Sequence, residues 1–255
     1  MAGEAKSTKF MLGTATVMIG PAASLFDLEP DTHGIGLVKN FQLRTEPSFT
    51  ELTQGVKNSL VYSVMTANPT RLSCEVYEYT AKNMGYALGL NGVTLADNTA
   101  STTVATAITG TPAASELAVA SATGFSVGDH IMVLYGADDQ MLIRRITEIN
   151  INTFTLNDNI GIAIGVGAVV RKVHALGVGS KDNNNFFGAK VAGRLADGTP
   201  VVALFPKVRI TGGFALQFQT NDYGNLPLEM TCYDLVPTDP FYSEFLTEQA
   251  KIFAA

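Results

Sequence analysis

The sequence predicts a mainly β fold, on three observations. Short runs alternate apolar and polar residues with a period of two, which gives a half-buried strand one core face and one wet face. The chain has 24 glycines in 255 residues and no tryptophan, a composition suited to strands joined by tight turns. A strand–turn–strand–helix unit occurs twice. At 255 residues the chain can bury a core without staples, as one large β domain or two smaller ones.

The first unit is Ser59–Leu90. Leu60, Tyr62 and Val64 alternate with Ser59, Val61 and Ser63, and Leu72, Cys74 and Val76 alternate with Arg71, Ser73 and Glu75. Asn68-Pro69 marks the turn between them. Thr80 is placed to cap a helix whose stripe is Ala81, Met84, Ala87 and Leu88, and Gly89 is its stop. In the second unit Phe214, Leu216 and Phe218 alternate with Ala215, Gln217 and Gln219. A turn at 221–225 and a return strand at Leu228–Leu235 follow. A short helix is expected from Asp239-Pro240, with proline at its first position. LSCEVYEY at 72–79 and LEMTCYDL at 228–235 read as two versions of one element.

In chain order, residues 1–8 are small and polar. Phe10–Ile19 is a first strand closed by Gly20-Pro21, and Leu25–His33 an acidic connector. Gly34–Arg44 is a second strand, with Leu37, Phe41 and Leu43 on one face and Val38, Asn40, Gln42 and Arg44 on the other. Lys39 breaks that pattern. Thr45–Gly55 lacks alternation and contains a proline, so it reads as a long loop with Phe49 and Leu52 available to dock on a partner.

From Asn91 the texture changes to Thr, Ala, Asn and Ser. Residues 100–173 then read as a separate small barrel or sandwich with strands at His130–Tyr135, Met141–Ile149 and Thr153–Leu156. The flanking segments, 1–99 and 174–255, each hold one copy of the repeated unit, so 100–173 is expected to be an inserted domain. Ala189–Leu195 and Thr199–Phe205 form a hairpin around Asp197-Gly198. In the tail, Phe241, Phe245, Leu246 and Ile252 share a helical apolar stripe.

Chemistry is not indicated. His33, His130 and His174 are far apart, and none has a partner at metal-ligand spacing. Asp138-Asp139 and Asp27/Glu29/Asp31 lack the pattern of a calcium loop. The glycines of 161–167 do not open a helix in a βαβ unit. Cys74 and Cys232 fit reduced core residues, and a disulfide would require their strands to be neighbours. No enzyme, metal or cofactor is expected. The net charge of −6 and the lack of a basic run argue against a protein that grips phosphates. No apolar run reaches the roughly 18 residues of a membrane span, and no secretion signal is read.

The order of elements, and above all GIGLVKNFQLRTEPSFTELTQGVKNSLVYSV at 34–64, resembles the tail tube proteins (major tail proteins) of long-tailed bacteriophages. ATGFSVGD at 122–129 resembles small β modules of phage virion proteins. The resemblance covers the outer domain. It implies a β-sandwich or barrel tail-tube fold with flanking short helices, and homohexameric rings stacked into a hollow tube. Genomic DNA would pass through the lumen without sequence-specific binding. Tail terminator and tail-tip proteins would be partners, with no membrane. The protein would be made in the host cytoplasm and reside in the virion tail. Glu46, Phe49, Thr50 and Leu52 would belong to an inter-ring loop. Asn40, Gln42, Arg44, Ser59 and Ser63 would face the lumen, which is expected to be net negative. The inserted domain would project outside the tube, favouring a non-contractile tail. The alternative is a receptor-binding or capsid-decorating β protein of a virion.

Overall fold

A computed structural model describes residues 15–54, 58–95, 100–109, 114–137, 140–181, 185–212, 214–216 and 223–254. The fold is mainly β, with several sheets and a half-barrel. The chain divides into two compact units, Met1–Ala96 with Gly177–Ala255, and Asp97–Leu176. The sequence reading put the boundaries at 99/100 and 173/174.

In the first unit the strands are β1 (Thr16–Pro21), β2 (Val38–Thr45), β3 (Ser48–Gln54), β4 (Ser59–Ala67) and β5 (Thr70–Val76). In the second they are β6 (Ser101–Thr103), β7 (Glu116–Ala118), β8 (His130–Leu134), β9 (Met141–Asn150), β10 (Thr153–Leu156) and β11 (Val169–Val173). The first unit resumes with β12 (Phe187–Arg194), β13 (Pro200–Ile210), β14 (Leu226–Cys232) and β15 (Lys251–Ala254). The helices α1 (Pro30–His33), α2 (Ala81–Ala87) and α3 (Tyr242–Phe245) are short.

The main sheet runs β1-β12-β13-β14-β5-β2, with β15 also on β13. It curls, and at one end the segment before β2 returns to β1: the Ile35 N–H donates to Val17 O at 3.1 Å. The concave core holds Val17, Ile19, Val38, Leu72, Phe205 and Leu228 among others. Helix α2 packs into it through Tyr86, whose hydroxyl donates to Ile19 O at 2.8 Å and whose ring meets Phe187 edge-on. Thr80 caps α2 by accepting from the Asn83 N–H at 3.1 Å.

A second cluster, Met18, Leu25, Leu28, Leu204, Leu235 and Phe245, covers the other face of β1 and β13. It recruits the 3-10 helix Ala22–Asp27 and α3. Strand β13 is therefore buried on both faces and reads as a continuous apolar run, VVALF, rather than an alternation. Strands β5 and β14 are covered on one face only and alternate as the sequence pattern requires.

Several expectations change. Residues 10–14 of the first strand lie outside the described residues, and Gly20-Pro21 close β1 as its last two residues. In β2 the core residues are Val38, Phe41 and Leu43, not Leu37, which is exposed. The register to β5 shifts between Lys39 and Gln42, and Asn40 has φ 53. This bulge inserts one residue, so Lys39 points outward over the Tyr77 ring at 4.5 Å and the faces realign. Gly36, at φ 78, turns the chain just before β2 and lets the Glu78 carboxylate accept from the Leu37 N–H at 2.8 Å.

The predicted tail helix is limited to Tyr242–Phe245, because Phe241 and Leu246 on either side have positive φ. Ile252 lies on β15, paired with Ala203. The two strand–turn–strand–helix units are not equivalent. Strand β4 leaves the sheet, and residues 214–216 form no strand. Residues 217–222 lie outside the described residues. The hairpin at Asp197-Gly198 is present, with Gly198 at φ 86 and the Asp197 carboxylate accepting from the Thr199 N–H.

The second unit is a six-stranded sheet, β6-β11-β8-β9-β10-β7. A bridge between Val104 and Val119 joins the chain beyond the two edge strands, so this sheet curls on itself. Its core, with Leu117, Ile131, Val133, Phe154 and Val170, is separate from the clusters of the first unit.

Candidate functional site

The stretch expected to be a loop at Thr45–Gly55 is strand β3. It pairs with β4 in an antiparallel ribbon that pairs with no other strand among the described residues. Alternation in a sequence reports one-sided burial, and here neither face is buried, so SFTELTQ shows no period. Strands β2 and β3 run on into β4 and β5, with the Glu46 N–H donating to Pro69 O across the join at 3.1 Å. The result is one long hairpin whose base lies in the sheet and whose outer part forms an arm.

Every described residue of β3 and β4 is exposed. Opposed residues share a face, so Phe49, Glu51, Ser63 and Met65 lie on one side, and Thr50, Leu52, Tyr62 and Val64 on the other. Phe49 is 54% exposed, Leu52 62% and Tyr62 64%. Both faces are thus apolar and bare. An isolated two-stranded hairpin is marginal in water, so such an arm has surface to bury against something else.

At the base of the arm Glu46 links two arginines that face each other across β2 and β5: Arg44 at 3.2 Å and Arg71 at 3.9 Å. The pairs are exposed and hold the geometry more than the stability. The four expected loop residues are therefore split. Glu46 is at the join, while Phe49, Thr50 and Leu52 are on the arm.

The five lumen candidates do not form one face. Asn40, Gln42 and Arg44 are on β2, whereas Ser59 and Ser63 are on the arm. Gln42 and Arg44 share the polar outer face of the sheet with Ser73 and Arg71 opposite them. Asn40 sits in the bulge and hydrogen-bonds the Glu75 carboxylate. Together with hydrogen bonds from Tyr77 and Asn225, it holds that carboxyl below its usual 4.5. The outer face carries both signs, with Lys39, Arg44 and Arg71 beside Glu46, Glu75 and Glu229.

Beside β2 an open groove of about 650 Å³ leads into the concave face. Val38, Phe41, Leu43, Val191, Val201 and Ile252 line it, with Lys39 and Arg194 among its polar residues. Sequence reasoning missed this groove, because its walls come from four strands far apart in the chain.

Cys74 and Cys232 are on neighbouring strands, but Cys74 faces Leu228 and Cys232 faces Val208, so they are not opposed. Both are free and buried. Burial pushes both thiols up to about 12, with the Glu75 charge adding to the effect at Cys74. Such thiols are inert. Among the described residues no group of three or more His, Cys, Asp and Glu side chains could hold a metal ion. No helix among them is long and apolar enough to cross a membrane.

No protein-family model matches the chain. No curated protein matches it significantly either.

Proposed function

We propose that this protein is a structural subunit of a phage virion that assembles with itself into stacked hexameric rings, the tail tube through which DNA leaves the capsid. The observation that carries the reading is the arm β3–β4, bare and apolar on both faces. A monomer gains nothing from such a surface; an assembly buries it. The arm and the remaining surface of the unit are different patches, and contacts between unlike patches build rings or open filaments rather than closed pairs. The edge of β2, paired on one side only among the described residues, supports the same reading, since strand addition from a neighbour would remove it.

The wall of such a tube must let DNA slide. The mixed charges of the β2–β5–β14 outer face suit a weakly interacting surface, because counterion release comes from Lys and Arg that neutralise phosphates, and here carboxylates lie beside those cations. If that face lines the channel, the lumen is charge-balanced rather than net negative.

Negative-stain electron microscopy of the purified full chain over a range of concentrations tests the proposal. Stacked rings with a central channel are the expected outcome. Small uniform particles at every concentration, unchanged by added tail-tip complexes, would refute it in favour of a binding protein.

A further inference from the structure

We propose that the groove beside β2 is the receptor for the arm of a second copy of this chain, entered by the face that carries Phe49, Glu51 and Met65. This rests on the assembly reading and names the contact that reading leaves open.

The match is one of shape class, polarity and charge. The groove is an open apolar cleft of about 650 Å³, enough for two large side chains. Phe49 and Met65 are cross-strand partners on the arm, both more than half exposed. Glu51 lies on the same face, opposed to Ser63, and is the only described charge of β3 and β4. The described charges of the groove are Lys39 and Arg194. Lys39 is shared with Glu75, which leaves Arg194 as the better partner for Glu51. The opposite arm face, with Thr50, Leu52, Tyr62 and Val64, has no carboxylate.

The groove takes its β2 wall from Val38 to Leu43, and Phe49 lies beyond the end of that strand, on the arm. The contact is therefore head-to-tail, and each copy carries one donor and one acceptor.

Two variants of the full chain separate the surfaces. Gly193→Phe fills the groove. A Cβ at Gly193 meets nothing within 4 Å, so the new side chain starts in open space at the groove, and urea unfolding of the variant checks that the fold is kept. Ile252→Glu, at an exposed position of the same groove, is the second acceptor variant. Phe49→Ser with Met65→Ser disables the donor.

Sedimentation velocity and electron microscopy are expected to show that each variant alone loses stacking. An equal mixture should regain one donor–acceptor step and stop there, because the joined pair has no working donor and acceptor left. Glu51→Lys should lose stacking, and adding Arg194→Glu to the same chain should recover it. Normal stacking by both Gly193→Phe and Ile252→Glu, or a mixture that gives no complex while the wild type stacks, overturns the docking but leaves the tube intact. A mixture that pairs while the wild type forms open chains without a channel supports the docking and overturns the tube.

Discussion

The two ends of one ribbon obey different rules. At its base, β2 and β5 place Val38, Leu43, Leu72, Cys74 and Val76 on a covered face and Gln42, Arg44, Arg71 and Ser73 on a wet one. Beyond Glu46 and Pro69 the same two chain segments continue as β3 and β4, equally rich in apolar residues and covered on neither side. The backbone pairing is alike; only the cover differs. In the base, apolar residues explain the fold. In the arm the same kind of residue is left bare, so the arm adds little to the stability of the monomer.

The largest effect should come from the base. Leu72 is 1% exposed and sits between β2 and β14 in the concave core. Leu72→Ala should cost about 2–5 kcal/mol, the range for a buried leucine replaced by alanine. Urea unfolding of unassembled protein measures it. A loss under about 1 kcal/mol would mean that the base is not a packed region.

The contrast also decides what could be read from the sequence. The alternation of Leu72, Cys74 and Val76 reported a real one-sided burial, and the Asp197-Gly198 turn was legible because its geometry depends on two residues. The arm was not legible as a strand, since without a covered face there is no period to detect. Lys39 looked like an error in the pattern and was the mark of a bulge; Asn40, tolerant of positive φ, was the available clue. The tail failed differently. Its helical stripe was real in spacing, but Phe241 and Leu246 turn the backbone and Lys251–Ala254 joins β13 instead, a choice made by the sheet rather than by local preference. The groove depends on strands brought together from both ends of the chain, which no local pattern encodes.

A middle-sized effect should come from a polar contact that seals the second core cluster. The Lys207 ammonium donates to the Asp239 carboxylate at 2.6 Å, with both side chains mostly covered, and the Val236 N–H donates to the same carboxylate oxygen at 2.9 Å. The Lys207 contact comes first, with the backbone hydrogen bond second, in holding the Asp239 carboxyl below its ordinary 3.8. A lowered folded value means that the stabilisation is fully present above 3.8 and is lost as pH falls through the folded value. Asp239→Asn should cost about 1.5–3 kcal/mol at pH 7, as for hydrogen bonds to a charged group. The gap from wild type should close under acid. A gap that is constant from pH 7 down to pH 2 would show that the carboxylate charge is not the cause.

The smallest effect on folding belongs to the arm, and it carries the most weight. Leu52→Ser and Tyr62→Ser remove apolar side chains that are already in water, so the stability of unassembled protein should change by no more than about 0.5 kcal/mol. Their face is opposite the one assigned to the groove, so these variants ask a separate question. If the arm enters a groove with one face and leaves the other in solvent, both should assemble as the wild type does. If assembly is lost while urea unfolding is unchanged, the second face is covered as well, and the arm lies between two neighbours rather than against one. Unchanged folding with lost assembly would then locate the need for Leu52 and Tyr62 in the contact between copies, where the base of the ribbon, already covered by its own chain, has no comparable part.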